Sequence, residues 1–386
     1  MKKIINILSK EVINQIAAGE VIQRPASIVK ELIENSIDAQ AKNIEVIIKD
    51  AGKKLVQIID DGTGMNPDDA TICFHKHATS KIQKTIDIMH ILTMGFRGEA
   101  LASIASIADV ELKTKTDKDK IGTLINIDNS KIKKNKKITI PTGTSISVKN
   151  LFFNIPARKN FLKSDKIEMK HILESFIQLS ISHYKIRFKL IHNGKVIYNL
   201  SATNLKQRII QLFGKRYNEK ILPVKEKTSI VSIDGFLGNP LDARKTRGEQ
   251  FLYVNNRFIK STYLNHAIKN AMMNIINPDQ HPSYFIFLTV NPTTIDVNIH
   301  PNKTEVKFED EKAIYQILKS TCKKSIGMYS VTPSLDFSIE ETFEIPVEIQ
   351  KTLPREPKLK INKHFNPFNE DDFQAKKNTE LMHQLF

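Results

Sequence analysis

The sequence has few cysteines and lacks a long apolar run. Cys73 and Cys322 are the two cysteines among 386 residues, too few for a disulfide framework or a zinc site, which indicates two reduced thiols. A membrane-spanning helix needs about 18 or more apolar residues, and no such run occurs. The apolar stretch after Met1 is too short for a signal peptide. We therefore expect a cytoplasmic protein with no membrane partner.

The phosphate-binding motif G-x-x-x-x-G-K-[ST] is also absent, so any nucleotide site must be of another kind. What is present is positive charge, a formal net +16. From Val331 onward acidic side chains outnumber basic ones, so the positive charge is concentrated in residues 1–330. A basic body favours a polyanionic partner, nucleic acid first, although a lysine-rich composition without a specific partner explains the charge about equally well.

Apolar spacing predicts the order of helices and strands. Helical periodicity covers residues 13–36, 169–179, 205–213 and 264–274. Strand patterns occur near residues 44–48, 55–59, 188–198, 230–235, 250–254 and 283–290, and residues 110–148 form a meander interrupted by a lysine-rich loop at 131–137. The alternation of strand, helix and strand after residue 203 favours a βαβ unit. Beyond residue 330 the apolar periodicity ends, which indicates a disordered tail or a truncated linker.

Two acidic motifs suggest nucleotide chemistry. Glu31 and Asn35 are four residues apart, so both project from one face of the predicted helix. A carboxylate there can deprotonate a water molecule, and an amide oxygen is a ligand that Mg²⁺ accepts. Asp60 follows an apolar strand, where a carboxylate needs a donor such as the amine of adenine, and Gly62 and Gly64 allow close approach to a flat base. Taken alone, each motif is better explained by an ordinary alternative, a solvated helix face for the first and an acidic turn for the second.

Two further segments are typical of anion and base contacts. Residues 77–81, which include Thr79 and Ser80, precede a glycine-containing loop at residues 95–98 that leads into a helix near Ala100. Backbone amides at such a loop bind phosphate. The hydroxyl of Thr144, at the start of a strand, can reach the base through a water molecule. Each signal is weak alone, and their combination in this order carries the argument.

Four longer stretches carry a family resemblance. They are QIAAGEVIQRPASIVKELIENSIDA (residues 15–39), GFRGEALASI (95–104), LFFNIPARKNFL (151–162) and DVNIHPNKTEVKF (296–308). Together they resemble the MutL mismatch-repair family over roughly residues 4–325. Gyrase B subunits, the large heat-shock chaperone and sensor histidine kinases share the helix asparagine and the D-x-G-x-G turn, but they lack the first two stretches as a whole.

The resemblance implies a fold and a set of site residues. The fold class is α/β, an α+β sandwich, with a GHKL (Bergerat) ATP-binding domain at residues 1–203 and a smaller βαβ transducer domain at residues 204–330, before the tail at 331–386. By resemblance Glu31 is the general base, Lys303 reaches the γ-phosphate, Asn35 binds Mg²⁺, and Asp60 reads adenine. The remaining residues of the implied ATP site are Gly62, Gly64, Thr79, Ser80, Arg97, Gly98, Glu99, Ala100, Leu101 and Thr144.

The function implied by the resemblance is that of an ATP-dependent mismatch-repair matchmaker. ATP binding with Mg²⁺ would form a homodimer of N-terminal halves, and slow hydrolysis would release it. The implied partners are a MutS-type mismatch sensor, a nicking endonuclease, a helicase, and DNA bound without sequence specificity. Candidate DNA contacts are Arg257, Lys260 and the lysines of residues 131–137. Neither the family's C-terminal dimerisation domain nor its metal-dependent nuclease motif is found, so no endonuclease activity is expected.

Two other classes of function are weighed against this one. The first is an ATP-independent DNA-binding scaffold with a vestigial nucleotide pocket, which the intact Glu31, Asn35, Asp60 and Lys303 argue against. The second is another enzyme of the superfamily, a topoisomerase subunit or a kinase. The chain lacks the cleavage-tyrosine domain of the former and the phospho-acceptor histidine domain of the latter.

Overall fold

A computed structural model describes residues 10–82, 84, 93–95, 97–246, 248–296 and 306–330. The helices are α1 (Lys10–Val21), α2 (Pro25–Asp38), α3 (Pro67–Ile72), α4 (Ala100–Ile107), α5 (Pro156–Phe161), α6 (Asp165–Ser182), α7 (Leu205–Phe213), α8 (Thr262–Ala271) and α9 (Glu311–Ser330). The first eight strands are β1 (Asn43–Lys49), β2 (Leu55–Asp60), β3 (Asp109–Lys115), β4 (Gly122–Asp128), β5 (Lys131–Ile138), β6 (Gly143–Lys149), β7 (Arg187–His192) and β8 (Lys195–Leu200). The others are β9 (Ile221–Lys227), β10 (Ser232–Gly238), β11 (Gln250–Val254), β12 (Arg257–Ile259), β13 (Tyr284–Thr289), β14 (Ile295–Asp296) and β15 (Lys307–Phe308).

The first sheet has eight strands in the order β5-β4-β3-β6-β2-β1-β7-β8. Only β1 and β7 pair in parallel, so the sheet is mixed. In β1 the side chains of Ile44, Val46 and Ile48 are buried, as alternation on a sheet covered on one face requires. Helix α2 buries Leu32 and Ile33 of its apolar stripe in the same core and packs against α6. The sheet therefore holds α2 firmly along its covered face.

The helix predicted over residues 13–36 is wrong as a single element. The structure has two helices, α1 and α2, and Arg24 between them is extended, with φ −158° and ψ 168°. Pro25 is at the first turn of α2, where its missing N–H costs no hydrogen bond. A proline also disfavours helical backbone in the residue before it. The break therefore lies where the proline places it.

The loop predicted at residues 131–137 is also wrong, because these residues belong to strand β5. This edge strand pairs antiparallel with β4, and its side chains from Lys131 to Lys137 are all exposed. With no buried face it has no apolar alternation, which is the signal that predicts a strand. Lysines on an edge also discourage pairing with another chain.

The second sheet has five strands in the order β12-β11-β13-β10-β9. Strands β11 and β13 are parallel, and α8 lies in the connection between them, as predicted for a βαβ unit. Helices α8 and α9 cover the sheet and bury Leu264, Ile268, Leu318 and Cys322. The predicted fold class, a mixed sheet with helices followed by a smaller βαβ unit, is confirmed.

Arg208 of α7 is fully buried. Its guanidinium donates to the carbonyl oxygens of Ser180, Tyr184, Ile186 and Ser201 at 2.7–3.0 Å. Burial lowers the pKa of Arg208 to about 10, so the side chain remains a cation at neutral pH. These four bonds attach α7 to the end of α6 and to the residues that flank β7 and β8.

The predicted boundary at residues 203/204 falls between β8 and α7 and stays a prediction. The predicted tail at residues 331–386 lies outside the described residues. Within the described part of the chain, no helix combines the length and apolar character needed to cross a membrane.

Candidate nucleotide site

Helix α2 presents three polar residues along one side, at spacings of four and three. Glu31, Asn35 and Asp38 are half-buried, whereas Leu32 and Ile33 are buried in the core. The Nζ of Lys81 donates to Asn35 Oδ1 at 3.0 Å and pairs with Asp38 Oδ2 at 2.5 Å. An amide oxygen and a carboxylate oxygen therefore already hold a cation between them.

Asp38 also fixes a second segment of chain. Its Oδ1 accepts from the backbone N–H of Met94 at 3.0 Å, and its Oδ2 accepts more weakly from that of Gly95 at 3.4 Å. The last residue of α2 thus binds Lys81 and the segment Thr93–Gly95, and its partners Lys81 and Met94 are 43 and 56 residues away from it in sequence. Asp38 therefore binds three partners on this side of the site: Lys81 and the backbone N–H groups of Met94 and Gly95.

Asp60 occupies the end of β2, as predicted, and its carboxylate reaches back to α2. Ser36 Oγ donates to Asp60 Oδ2 at 2.7 Å, and the backbone N–H of Gly62 donates to Oδ1 at 3.0 Å. Burial raises the pKa of Asp60, and the hydrogen bonds from Ser36, Gly62 and Thr144 only partly offset it. The present hydrogen bonds do not fully offset the desolvation of this carboxylate. A further donor, such as an exocyclic amine, would therefore stabilise its charged form.

The turn after Asp60 packs closely against neighbouring strands. Gly64 has φ +67°, and a Cβ at this position would lie 2.1 Å from the carbonyl oxygen of Lys115, so the turn requires glycine. Thr144 is the register partner of Asp60 in the β2–β6 pair. Its Oγ1 lies 3.0 Å from Thr114 Oγ1, which also accepts from the N–H of Met65 at 2.9 Å. Asp60, Gly64 and Thr144 are therefore gathered at one end of the sheet.

The predicted phosphate segments lie side by side. The N–H of His77 donates to the carbonyl oxygen of Gly98 at 2.9 Å, and His77 Nδ1 is 3.5 Å from Glu99 Oε1. Gly98 has φ +63°, and a Cβ there would be 2.4 Å from the carbonyl oxygen of Ala78. This contact places Thr79 and Ser80 next to the start of α4 at Ala100, with Arg97 exposed and Leu101 half-buried.

The second sheet contributes Arg257, which sequence reasoning assigns to DNA. The structure places it against the first unit, where its Nη2 donates to the carbonyl oxygens of Thr93 at 3.1 Å and Met94 at 3.2 Å. Lys260, by contrast, is exposed. DNA contact by either residue stays a prediction. Lys303 and Phe96 lie outside the described residues.

Sequence reasoning does not assign a role to Ser36, Lys81 or Thr114. Ser36 lies in the E-N-S-I-D stretch, directly after Asn35, and Lys81 ends the H-A-T-S-K stretch, so position within the motifs is the signal that could have found them. Thr114 carries no such signal, because its role depends on strand pairing. Among the described residues, no group of three or more His, Cys, Asp or Glu side chains could hold a metal ion. A metal at Asn35 would take its other ligands from phosphates and water.

Two family models match the chain. "Histidine kinase-, DNA gyrase B-, and HSP90-like ATPase" matches residues 23–159, which contain α2, the Asp60 turn and Thr144. "DNA mismatch repair protein, C-terminal domain" matches residues 209–327, which contain the second sheet.

Solved structures share the fold. The N-terminal domain of a DNA repair protein superposes with a TM-score of 0.71 at 27% identity, covering 83% of this chain and 99% of that one. The Aquifex aeolicus MutL ATPase domain complexed with ADP has a TM-score of 0.56 at 23% identity, covering 77% and 98%. The predicted GHKL-type fold is confirmed by these likenesses together with the first family model.

Curated relatives share much more of the sequence. The DNA mismatch repair protein MutL of Christiangramia forsetii is 51% identical over 371 residues, 96% of this chain and 60% of that protein. The protein of the same name in Bacteroides fragilis is 47% identical, covering 95% and 59%. The chain thus spans about three fifths of the length of these relatives. By its sequence, its two matched models and its fold, the chain belongs to the MutL family of DNA mismatch-repair proteins.

Proposed function

We propose that this chain binds and slowly hydrolyses ATP, and that the nucleotide switches a mismatch-repair matchmaker between two states. The observation that carries the proposal is that Ser36 of α2 donates to Asp60, while its chain neighbour Asn35 and the nearby Asp38 hold Lys81. These contacts connect Asp60, which burial leaves short of hydrogen-bond donors, to Asn35 and Asp38, which already hold a cation. A nucleotide offers a base amine to the first and a metal-bound triphosphate to the second.

The adenine end of the proposed site is built on the sheet. The exocyclic amine would donate to Asp60, whose raised pKa reflects burial without enough donors. Gly62 and Gly64 provide backbone surface without side chains beside the base, and Thr144 lies opposite Asp60 on the neighbouring strand. With this hydrogen bond, the pocket would select for a base that carries an amine at the position facing Asp60.

The phosphate end is formed by loops and by the N-terminus of α4. Backbone amides of residues 97–101, beside Thr79 and Ser80, would donate to phosphate oxygens, helped by the dipole of α4. Lys303 would reach the γ-phosphate from the second unit. Together these groups would neutralise and orient the triphosphate.

Asn35 and Asp38 already hold the ammonium of Lys81, so this donor set suits a hard cation. Bound Mg²⁺ would draw charge from the phosphates, with Asn35 Oδ1 as its protein ligand. Glu31, one helical turn before Asn35, would accept a proton from the attacking water. The water oxygen then bonds to the γ-phosphorus as the bond to the β-phosphate bridging oxygen breaks, giving ADP and phosphate.

The proposed output is binding rather than chemistry on DNA. The curated relatives are named for DNA mismatch repair, and this supports a MutS-type mismatch sensor, a nicking endonuclease, a helicase and DNA as partners. We propose that ATP binding brings two N-terminal halves together in the cytoplasm. Lys260 is exposed and the chain carries a net +16, which supports phosphate contacts that weaken with salt.

The experiment replaces Glu31 by alanine and measures ATP binding and phosphate release separately. We expect hydrolysis to fall by about 100-fold or more, the scale of a lost general base, while ATP affinity is retained. The matched control is Glu174→Ala on α6, an exposed glutamate that pairs with Lys170 and His171 of its own helix.

Normal hydrolysis by Glu31→Ala would show that another group is the base. If the unaltered chain bound DNA but no ATP, the alternative of an ATP-independent scaffold with a vestigial pocket would replace the proposal. Loss of hydrolysis in Glu174→Ala as well would point to a general effect on folding, which circular dichroism and thermal unfolding would reveal.

A further inference from the structure

We propose that Arg257 is a positioning residue that holds the Thr93–Gly95 segment against Asp38 and thereby couples the second sheet to the nucleotide site. The contacts that make up this clamp are properties of the fold itself. Its effect on ATP turnover rests on the proposed function. No DNA contact by Arg257 is needed for it.

The segment is held from two sides by groups of opposite charge. Asp38 accepts from the N–H groups of Met94 and Gly95, and Arg257 donates to the carbonyl groups of Thr93 and Met94. Each ion binds the polar groups that complement its sign, and bonds to ions are roughly twice as strong as neutral ones. Both peptide groups that flank Met94 are therefore engaged, and the Met94 side chain is buried. Removing either ion loosens the same three residues.

Carboxylates of α2 attract the guanidinium of Arg257, although burial opposes its charged form. Burial lowers the pKa of Arg257, while the nearby carboxylates of Glu34, Asp38 and Glu31 act in the opposite direction. Two of these carboxylates are on the polar side of α2 that forms the proposed site. A cation from the second sheet therefore lies in the field of the residues assigned to hydrolysis and to the cation pair. Any change in charge at that face also acts on Arg257.

The clamp is attached to a rigid part of the second sheet. Arg257 opens β12 and pairs in register with Val254 of β11. The preceding residue of β11, Tyr253, is fully buried, and its hydroxyl donates to the carbonyl oxygen of Gln178 in α6 at 2.8 Å. Helix α6 in turn packs on α2. The β11–β12 hairpin is thus attached to α6 through Tyr253, the chain neighbour of the residue that pairs with Arg257.

The contact region is not completely filled. A cavity of about 30 Å³ lies between the two units, lined in part by Lys30, Met94, Gln178, Arg257 and Phe258. This is more than the space of about 10–15 Å³ that one water molecule needs. The Met94 segment therefore has room for a small shift at the point where both ions hold it. A shift driven from either side would be felt on the other, since coupling between two sites is reciprocal.

The test compares Arg257→Met with Lys260→Met in the full chain. Methionine is shorter than arginine and keeps an unbranched apolar stem, but it removes the charge and the donors; Lys260 is an exposed cation three residues further along. Hydrogen exchange at the amides of Met94 and Gly95, without nucleotide, reports the clamp directly. We expect exchange to be about tenfold faster or more in Arg257→Met, on the scale of losing hydrogen bonds to a charged group, and unchanged in Lys260→Met.

Kinetics then test the coupling. We expect Arg257→Met to lower kcat for ATP by about tenfold with a smaller change in KM, because a loosened segment affects alignment more than binding. Arg257→Lys keeps a charge and a shorter donor, and both readouts should be intermediate. This variant also carries the test if Arg257→Met does not fold.

Unchanged exchange and unchanged kinetics in folded Arg257→Met would overturn the inference. So would equal losses of DNA affinity in Arg257→Met and Lys260→Met with no change in exchange, which would make Arg257 a DNA contact. Faster exchange with unaltered kcat would retain the clamp and refute the coupling. If the unaltered chain did not hydrolyse ATP, the proposed function would fail while the exchange experiment still decided whether the clamp exists.

Discussion

Replacing Asp60 by asparagine tests two effects of this carboxylate separately: its effect on the free energy of unfolding and its effect on ATP affinity. Asparagine keeps the shape: its amide oxygen can accept from the N–H of Gly62, and its NH2 can donate to Ser36 Oγ, whose hydroxyl then donates to the carbonyl oxygen of Leu32. The negative charge, which burial disfavours, is removed. The adenine amine then meets a neutral amide instead of a carboxylate. We therefore expect weaker ATP binding together with a fold that is no less stable.

The affinity loss follows from the strength of a hydrogen bond to a charged group. Such a bond contributes about 1.5–3 kcal/mol, which corresponds to roughly a 10- to 150-fold rise in Kd for ATP. Stability should move the other way. Because the pKa of Asp60 is raised in the folded state, the native protein binds more protons, and its free energy of unfolding falls as pH rises through that pKa. At neutral pH the carboxylate therefore destabilises the fold, and asparagine relieves this.

Asp61 is the matched control, one residue away and exposed. Burial raises its pKa, but hydrogen bonds from the side chain and N–H of Asn43 and the N–H of Lys42 outweigh this and lower it. Asp61→Asn should keep ATP affinity and lose stability. This stability is present above the ordinary pKa near 3.8 and lost as pH falls through the lower folded value. Isothermal titration and urea unfolding at several pH values measure both quantities. Unchanged ATP affinity in Asp60→Asn, or a loss of stability equal to that of Asp61→Asn, would refute the reasoning.

Two other expectations concern the junction and the switch. Arg208→Met should lower the free energy of unfolding by about 3–5 kcal/mol, because it removes a fully buried guanidinium together with its four hydrogen bonds to backbone carbonyl groups. A loss below about 1 kcal/mol in urea unfolding would show that water replaces the guanidinium. Light scattering should give a monomer without nucleotide and a dimer with a non-hydrolysable ATP analogue and Mg²⁺. An unchanged mass with the analogue demonstrably bound would contradict the proposed switch.

The elements that sequence alone predicts well are those with one buried face. Strand β2 and helix α7 show clear periodicity because their alternate or helically spaced side chains enter the core. Strand β5 fails this test since all of its lysines face water, and its strand state comes from pairing with β4. A composition-based reading cannot distinguish such an edge strand from a loop. The break before Pro25 is the opposite case. There a proline ends the helix although the apolar pattern continues.

Some residues of the candidate site can likewise be predicted from the local sequence pattern, and others only from the fold. Glu31, Asn35 and Asp60 stand out because they interrupt apolar patterns at short spacings. Lys81 does not, because its partners Asn35 and Asp38 are 46 and 43 residues away, and only the fold brings them together. Arg257 is separated from Thr93 by 164 residues. Its charge alone suggests a DNA contact, whereas its hydrogen bonds to backbone carbonyl groups depend on how the chain folds.

Asp38 makes the nucleotide site and the interface between the two units parts of one arrangement. Its carboxylate receives Lys81 on one side and the amides of Met94 and Gly95 on the other. A metal-bound nucleotide at Asn35 would need the amide oxygen that Lys81 now contacts, so Lys81 would have to move. Asp38 would then lose a cation partner, and its hold on the Met94 segment would change, because a carboxylate shares its charge among its donors. Arg257 holds the carbonyl side of that segment, so the second sheet would respond through one carboxylate and one short peptide segment.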